Sequence, residues 1–207
     1  MENIILLFVC LFLGFLFQKI PQFPKNSHHI LNQYVIHISI PALALYYIPK
    51  IELSVALLYP LGVAWIGFLL SFLFFYTLGN YFKWSKKLTG CLILTAGLGN
   101  TSFVGFPLIE AMFGEKGLKT AIIVDQPSSF VVVATLGILV ATLFSSSTTS
   151  VKAIASKVFY FPPFIFFMLA LLCALIRFDF PPMLQHVFFR LGNTVTPIAL
   201  VAVGLQL

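Results

Sequence analysis

Long apolar stretches almost free of charge dominate this chain of 207 residues. A helix needs about 20 apolar residues to cross a bilayer. Stretches of roughly that length span residues 3–20, 30–48, 54–81, 88–113, 118–144, 158–176 and 187–207. Only 9% of the residues are charged, whereas a soluble domain carries roughly 25%. The sequence therefore predicts an all-α polytopic membrane protein with about seven transmembrane helices, embedded in a lipid bilayer.

The charged and reactive residues exclude several other functions. The net charge of +6 comes from cations at the ends of the apolar stretches, not from a basic helix, so no nucleic-acid partner is expected. The three cysteines match no metal-binding spacing, and a site at His28 and His29 would be under-liganded. The chain carries no known catalytic signature and no phosphate-binding loop. We expect no enzyme activity, no cofactor and no metal.

The distribution of lysine predicts the orientation of the chain in the membrane. Alternate loops are purely basic and contain Lys19, Lys25, Lys83, Lys86, Lys87, Lys152 and Lys157. The loops between them mix cations with acids. Because cytoplasmic loops are enriched in lysine and arginine, the basic loops should be cytoplasmic and the N-terminus outside. The short loops and the lack of a targeting extension favour a bacterial inner membrane.

Two prolines suggest an internal repeat. Pro41 in HISIPALAL and Pro197 in TVTPIALVAVGLQL stand in similar apolar settings, 156 residues apart. The prediction is a first five-helix repeat at 1–144, a cytoplasmic linker at 145–157, and an incomplete second repeat at 158–207. Because five is odd, the second repeat would be inverted, as in many secondary transporters. The counterparts of the last three helices would then lie beyond Leu207, and homo-oligomer formation is left open.

The fourth apolar stretch contains residues that disfavour a helix, in the sequence GLGNTSFVGFPLIEAMFG. Glycines weaken a helix, and Pro107 removes one backbone donor and clashes with the carbonyl of Phe103. We expect free backbone groups at residues 99–103 and a new helix beginning near Thr101, whose positive end favours a small anion. The predicted binding residues are Gly99, Asn100, Thr101, Ser102 and Pro107. Close helix packing explains the glycines equally well.

Several stretches resemble the auxin efflux carrier family, which includes bacterial malate-type permeases. They are GNTSFVGFPLIEAMFGEKGLKTAIIVDQPSSF, ILNQYVIHISIPALAL and LGNTVTPIALVAVGLQL. The resemblance implies ten helices in two inverted repeats, with broken helices four and nine crossing at the substrate site. It also implies transport of organic anions by an elevator-like motion. The family's crossover asparagine corresponds to Asn100, followed by Thr101, and its G-x-P to Gly105 and Pro107. Plant members have proline where this chain has Gly99.

Other polar residues inside the apolar stretches are candidates for ion coupling or packing. Asp125 and Gln126 lie in the fifth stretch, where an acid is costly and by default a functional candidate. They are predicted to carry a coupling proton or sodium ion, and the alternative is an interfacial acid held by Lys119 or Lys116. Glu110 is predicted to be a solvated residue at the outer end of the fourth stretch. Pro41 and Pro197 are predicted to kink the scaffold helices.

These observations favour a secondary transporter that binds a small organic carboxylate at the broken fourth helix and works by alternating access. One alternative is a membrane subunit or sensor that does not transport. Another is an inactive fragment of such a carrier.

Overall fold

The computed structural model describes residues 2–24, 26–51, 55, 58–144 and 160–207, and within these residues it contains helices and no strand. The helices are α1 (Glu2–Phe17), α2 (Ser27–Tyr34), α3 (Ile40–Tyr47), α4 (Leu58–Tyr81), α5 (Lys86–Gly97), α6 (Phe106–Val124), α7 (Phe130–Val132), α8 (Ile138–Phe144), α9 (Pro162–Leu175), α10 (Pro182–Gly192) and α11 (Val195–Gly204). Each predicted apolar stretch overlaps at least one of them. The prediction of an all-α polytopic membrane protein is confirmed.

Three helical runs of the described residues are long and apolar enough to cross a membrane: Leu58–Tyr81, Lys86–Phe144 and Pro182–Gly204. The second has 59 residues, enough for two crossings. It bends at Gly114, where φ is 64° and ψ is −157°. This conformation is open essentially to glycine alone, and it lies between the fourth and fifth predicted stretches.

The chain divides into two compact units. The first comprises residues 1–52, 100–122 and 162–207, and the second comprises residues 53–99 and 123–161. This division follows packing and differs from the sequential repeats predicted from the sequence, which stay a prediction. The predicted linker at 145–157 lies outside the described residues.

In the first unit, α3 is enclosed by protein. All its residues except Tyr46 are buried, and it packs against both α9 and α10. A methyl group added at Gly192 of α10 would lie 2.8 Å from Leu43 Cδ2, so the two helices are in close contact. A helix that is apolar on every face is suited to such an interior position, as it is to contact with lipid.

Helices α1 and α11 of the same unit cross at two glycines. A methyl group at Gly14 would lie 2.3 Å from the carbonyl oxygen of Val201, and one at Gly204 would lie 2.3 Å from that of Leu11. The side chain of Gln18 donates to the Gly204 carbonyl oxygen at 3.1 Å. Small residues let the two backbones approach this closely.

In the second unit, α4 packs against α5, and α5 packs against α8. The Ser71 hydroxyl donates to the Ile93 carbonyl oxygen at 3.0 Å. Phe68, Ile93, Val132 and Val140 form the buried core. Much of the outer surface of α4 is apolar and exposed, including Leu69 and Leu70, as expected for a helix that faces lipid.

Candidate functional site

The fourth predicted stretch is interrupted between α5 and α6. Helix α5 ends at Gly97, and Leu98 is extended, with φ −119° and ψ 113°. Asn100 is also non-helical, and helical backbone resumes at Thr101. The chain leaves the second compact unit at Gly99 and enters the first at Asn100. The interruption predicted from the sequence is therefore present.

Asn100 acts as the N-cap of the helical segment that follows. Its side-chain Oδ1 accepts a hydrogen bond from the backbone N–H of Phe103 at 3.0 Å. Asparagine is among the preferred N-cap residues because its oxygen satisfies one otherwise unpaired donor. The positive end of the helix dipole is thereby directed to the position of Asn100, whose side chain is exposed.

The backbone after Asn100 corrects one expectation. Residues Thr101–Gly105 form a π-turn, in which each N–H reaches a carbonyl five residues earlier. The Gly105 N–H donates to the Asn100 carbonyl oxygen at 3.0 Å, and the Phe106 N–H donates to that of Thr101. These carbonyl groups are paired rather than free. Just before Pro107, each backbone N–H of the π-turn therefore pairs with a carbonyl one residue farther back than it would in an α-helix. Pro107 itself is buried in the first turn of α6.

Pro41 has the same local setting as Pro107. The π-turn Val35–Ser39 precedes α3, and the Ile40 N–H donates to the Val35 carbonyl oxygen. Each proline stands two residues after the last residue of a π-turn. All three prolines lie in the first turn of their helices, but Pro197 differs because no π-turn directly precedes α11 in the described part of the chain. The missing N–H has no cost there, since the first N–H groups of a helix lack internal partners.

The π-turn after Asn100 packs against α11 within the first unit. Phe103 contacts the buried cluster that includes Phe106, Val195 and Ala199. Helices α3 and α11 are also linked near their prolines, because the Ser39 and Thr194 hydroxyl oxygens are 2.7 Å apart. The segments that contain Pro41 and Pro197 therefore contact each other, and the segment that Asn100 caps contacts the one that contains Pro197.

Glu110 is not the solvated residue expected from the sequence. It is half-buried, and its Oε2 accepts a hydrogen bond from the Thr196 hydroxyl at 2.5 Å. The distance of Glu110 from Asn100 in the sequence indicated a position at the end of the helix but not this pairing. Glu110 and Thr196 are 86 positions apart in the chain, so no local sequence pattern indicates that they contact each other. The position of a threonine next to Pro197 was the only available hint of this hydrogen bond.

Asp125 and Gln126 lie in the second unit and are both buried, with 4% and 3% of their surface exposed. They begin the π-turn Asp125–Ser129. The Gln126 Nε2 donates to Asp125 Oδ2 at 2.6 Å. Lys119, the cation considered for Asp125, has its ammonium 3.7 Å from Glu115.

Charged residues from helix α6 and from the segments around Lys50 and Asp179 lie close together in the first unit. The Lys50 ammonium lies 3.5 Å from the centroid of the Tyr46 ring. Partial burial lowers the pKa of Lys50, Lys119 lowers it further, and Asp179 and Glu115 oppose the shift. The predicted orientation places these charges on one side of the membrane, and that orientation stays a prediction.

Comparison with known proteins gives two matches. A family model described as a membrane transport protein matches residues 1–158. An uncharacterized transporter of Methanocaldococcus jannaschii is 30% identical over 215 residues, and the match covers 100% of this chain and 68% of that protein. No solved structure matches the chain significantly. Both matches include the interruption between α5 and α6.

Proposed function

This chain belongs to the membrane transport protein family, and we propose that it acts as a secondary carrier for a small organic anion. The carboxylate would bind at Gly99, Asn100, Thr101, Ser102 and Pro107. The observation that carries the proposal is a helix interrupted within a membrane-spanning stretch and restarted under an asparagine cap. Irregular backbone at membrane depth is tolerated where protein encloses it or where it lines a wet cavity.

The chemistry of the restarted segment favours an anion. The segment that begins at Thr101 directs the positive end of its dipole to the Asn100 position, and threonine and serine hydroxyl groups follow. Asn100 uses its oxygen for the cap, so its amide nitrogen is oriented away from that bond and can donate to a carboxylate. Half-helix N-termini hold substrate carboxylates in other transporters.

Transport would proceed by alternating access, driven by a substrate or ion gradient. Asp125 and Gln126 are the candidate residues for coupling, and Pro41 and Pro197 belong to the proposed scaffold. In this proposal the protein resides in the plasma membrane of a bacterium with its N-terminus outside.

The test is uptake by the full-length protein in proteoliposomes, with radiolabelled malate as the first probe and other mono- and dicarboxylates after it. Asn100→Ala removes the cap and the amide donor, and we expect uptake to fall at least about tenfold, as for the loss of one charge-assisted hydrogen bond. Thr95→Ala is the matched control, because the Thr95 hydroxyl bonds only within α5, to the carbonyls of Cys91 and Leu92.

A labelling experiment locates the site independently. In a variant without native cysteines, Ser102→Cys should react with a thiol reagent more slowly when the transported carboxylate is present. Equal reaction rates with and without carboxylate, in a protein that transports it, would contradict the assigned site. A correctly inserted protein that transports none of the carboxylates would favour the subunit or sensor alternative.

A further inference from the structure

The pair formed by Asp125 and Gln126 contains an unsatisfied acceptor. Gln126 directs its Nε2 to Asp125 Oδ2. Its Oε1 is buried and has no hydrogen-bond partner among the described residues. A buried polar atom without a partner is destabilising, and such atoms in native proteins call for an explanation, such as an ion.

The backbone turn that carries this pair also contains a proline, which removes one hydrogen-bond donor. Residues Asp125–Ser129 form a π-turn, and Pro127 within it has no N–H to donate. One carbonyl of the preceding turn therefore loses its usual helical donor. Backbone carbonyls released in this way coordinate cations in transporters with broken helices.

The turn is anchored to the neighbouring helix. Ser128 is fully buried, and its hydroxyl donates to the Leu61 carbonyl oxygen of α4 at 2.5 Å. Helix α4 carries tyrosines as its ionisable residues and no lysine, arginine or histidine. A cation bound at the turn would meet no positive side chain from α4.

We propose that the Asp125 carboxylate and Gln126 Oε1 form a binding site for a sodium ion. A sodium ion prefers oxygen ligands, so it would satisfy the unpaired Gln126 oxygen beside the buried carboxylate. A proton on Asp125 would neutralise the charge but leave that oxygen without a partner. The sodium ion would be the coupling ion of the carrier, so its role in transport rests on the proposed function, whereas its binding does not.

The test measures sodium binding by thermal unfolding of the full-length protein in nanodiscs, at pH 8 and constant ionic strength. Sodium chloride replaces choline chloride, and no carboxylate is added. With sodium at roughly a hundred times its Kd, we expect the Tm to rise by about 5–10 °C. Asp125→Asn and Gln126→Met should each abolish most of this shift.

Asn32→Leu is the matched control, because Asn32 Oδ1 is the other buried side-chain oxygen without a partner in the described part of the chain. Asn32 has no carboxylate beside it in sequence, so this variant should keep the sodium shift. Asn100→Ala should keep it as well, which separates a failure of the sodium site from a failure of the anion site.

Two results would overturn the proposal. One is a sodium shift of equal size in Gln126→Met and the unaltered protein. The other is an unaltered protein whose Tm responds to pH but not to sodium, as expected of a proton site. If Asp125→Asn does not fold, Gln126→Met decides the question, since it retains the acid and removes only the unpaired oxygen.

Discussion

The hydrogen bond between Thr196 and Glu110 ties two segments that are far apart in the chain. Thr196 directly precedes Pro197 in α11, and Glu110 lies in α6, ten residues after Asn100. The bond is partly buried, and hydrogen bonds to charged groups contribute about 1.5–3 kcal/mol. The segment capped by Asn100 therefore depends on α11 for its position.

Thr196→Val keeps the side-chain shape and removes the donor. We expect it to lower the free energy of unfolding by about 1–2 kcal/mol, and Glu110→Gln, which keeps an acceptor, to cost less. Chemical unfolding in a mild detergent provides the measurement. Thr135→Val is the control, because the Thr135 hydroxyl is exposed and bonds to a carbonyl of its own helix. Equal effects of Thr196→Val and Thr135→Val would show that the link to Glu110 contributes nothing.

Among whole elements, the crossing of α1 and α11 is the most sensitive to residue size. The added methyl groups at Gly14 and Gly204 would meet backbone oxygen atoms, which cannot rotate away as a side chain can. The two helices would have to separate along the contact. Overpacking of this kind typically costs about 1–3 kcal/mol.

Gly14→Ala and Gly204→Ala should each destabilise the protein by at least about 2 kcal/mol, because backbone must move. The same unfolding assay applies. Gly67→Ala is the control, since a methyl group at this glycine of α4 meets no atom within 4 Å. Alanine there should be neutral or stabilising by up to about 1 kcal/mol, from its higher helix propensity. A tolerated alanine at Gly14 would mean that α1 and α11 pack less closely than described.

The same elements show what a sequence can predict. The interruption near Asn100 could be predicted, because glycine, asparagine and proline act through local backbone preferences. The π-turns before Pro41 and Pro107 could not, since a shift from one hydrogen-bond register to another leaves no residue pattern. The Glu110–Thr196 and Ser39–Thr194 contacts were also missed, because they depend on how distant helices pack. The assignment of Asn100 to a binding site stays a prediction.

At the scale of the whole molecule, the orientation in the membrane depends on a modest excess of lysine in alternate loops. Lys50, Lys119 and Asp179 are close enough to interact electrostatically. The predicted orientation places these three residues on the same side of the membrane. The sequential repeats stay a prediction, because the compact units follow packing, and the first of them combines residues 1–52 and 100–122 with residues 162–207.

Lysine reactivity tests both the orientation and the local electrostatics. Because its pKa is lowered, Lys50 presents more neutral amine at pH 8–9 than an ordinary lysine and should react readily with a membrane-impermeant acylating reagent added to intact cells. Lys119→Gln removes a neighbouring positive charge, so the Lys50 pKa should rise and its reaction should slow. Mass spectrometry of the labelled peptides gives both rates.

Lys83, Lys86 and Lys87 are the internal controls, because the predicted orientation places them in the cytoplasm. They should react only after the cells are opened. Labelling of these three residues, but not of Lys50, in intact cells would reverse the assigned topology.

The enclosed position of α3 has a consequence for biogenesis. Its enclosing partners α9 and α10 are synthesised more than a hundred residues later. At ~5–20 residues per second, α3 waits several seconds or longer for them. Its apolar surface is compatible with lipid during that interval, so the helix can enter the bilayer first and exchange lipid contacts for protein contacts when the later helices arrive. The hydrophobicity that buries α3 in the finished protein thus also lets it enter the membrane alone.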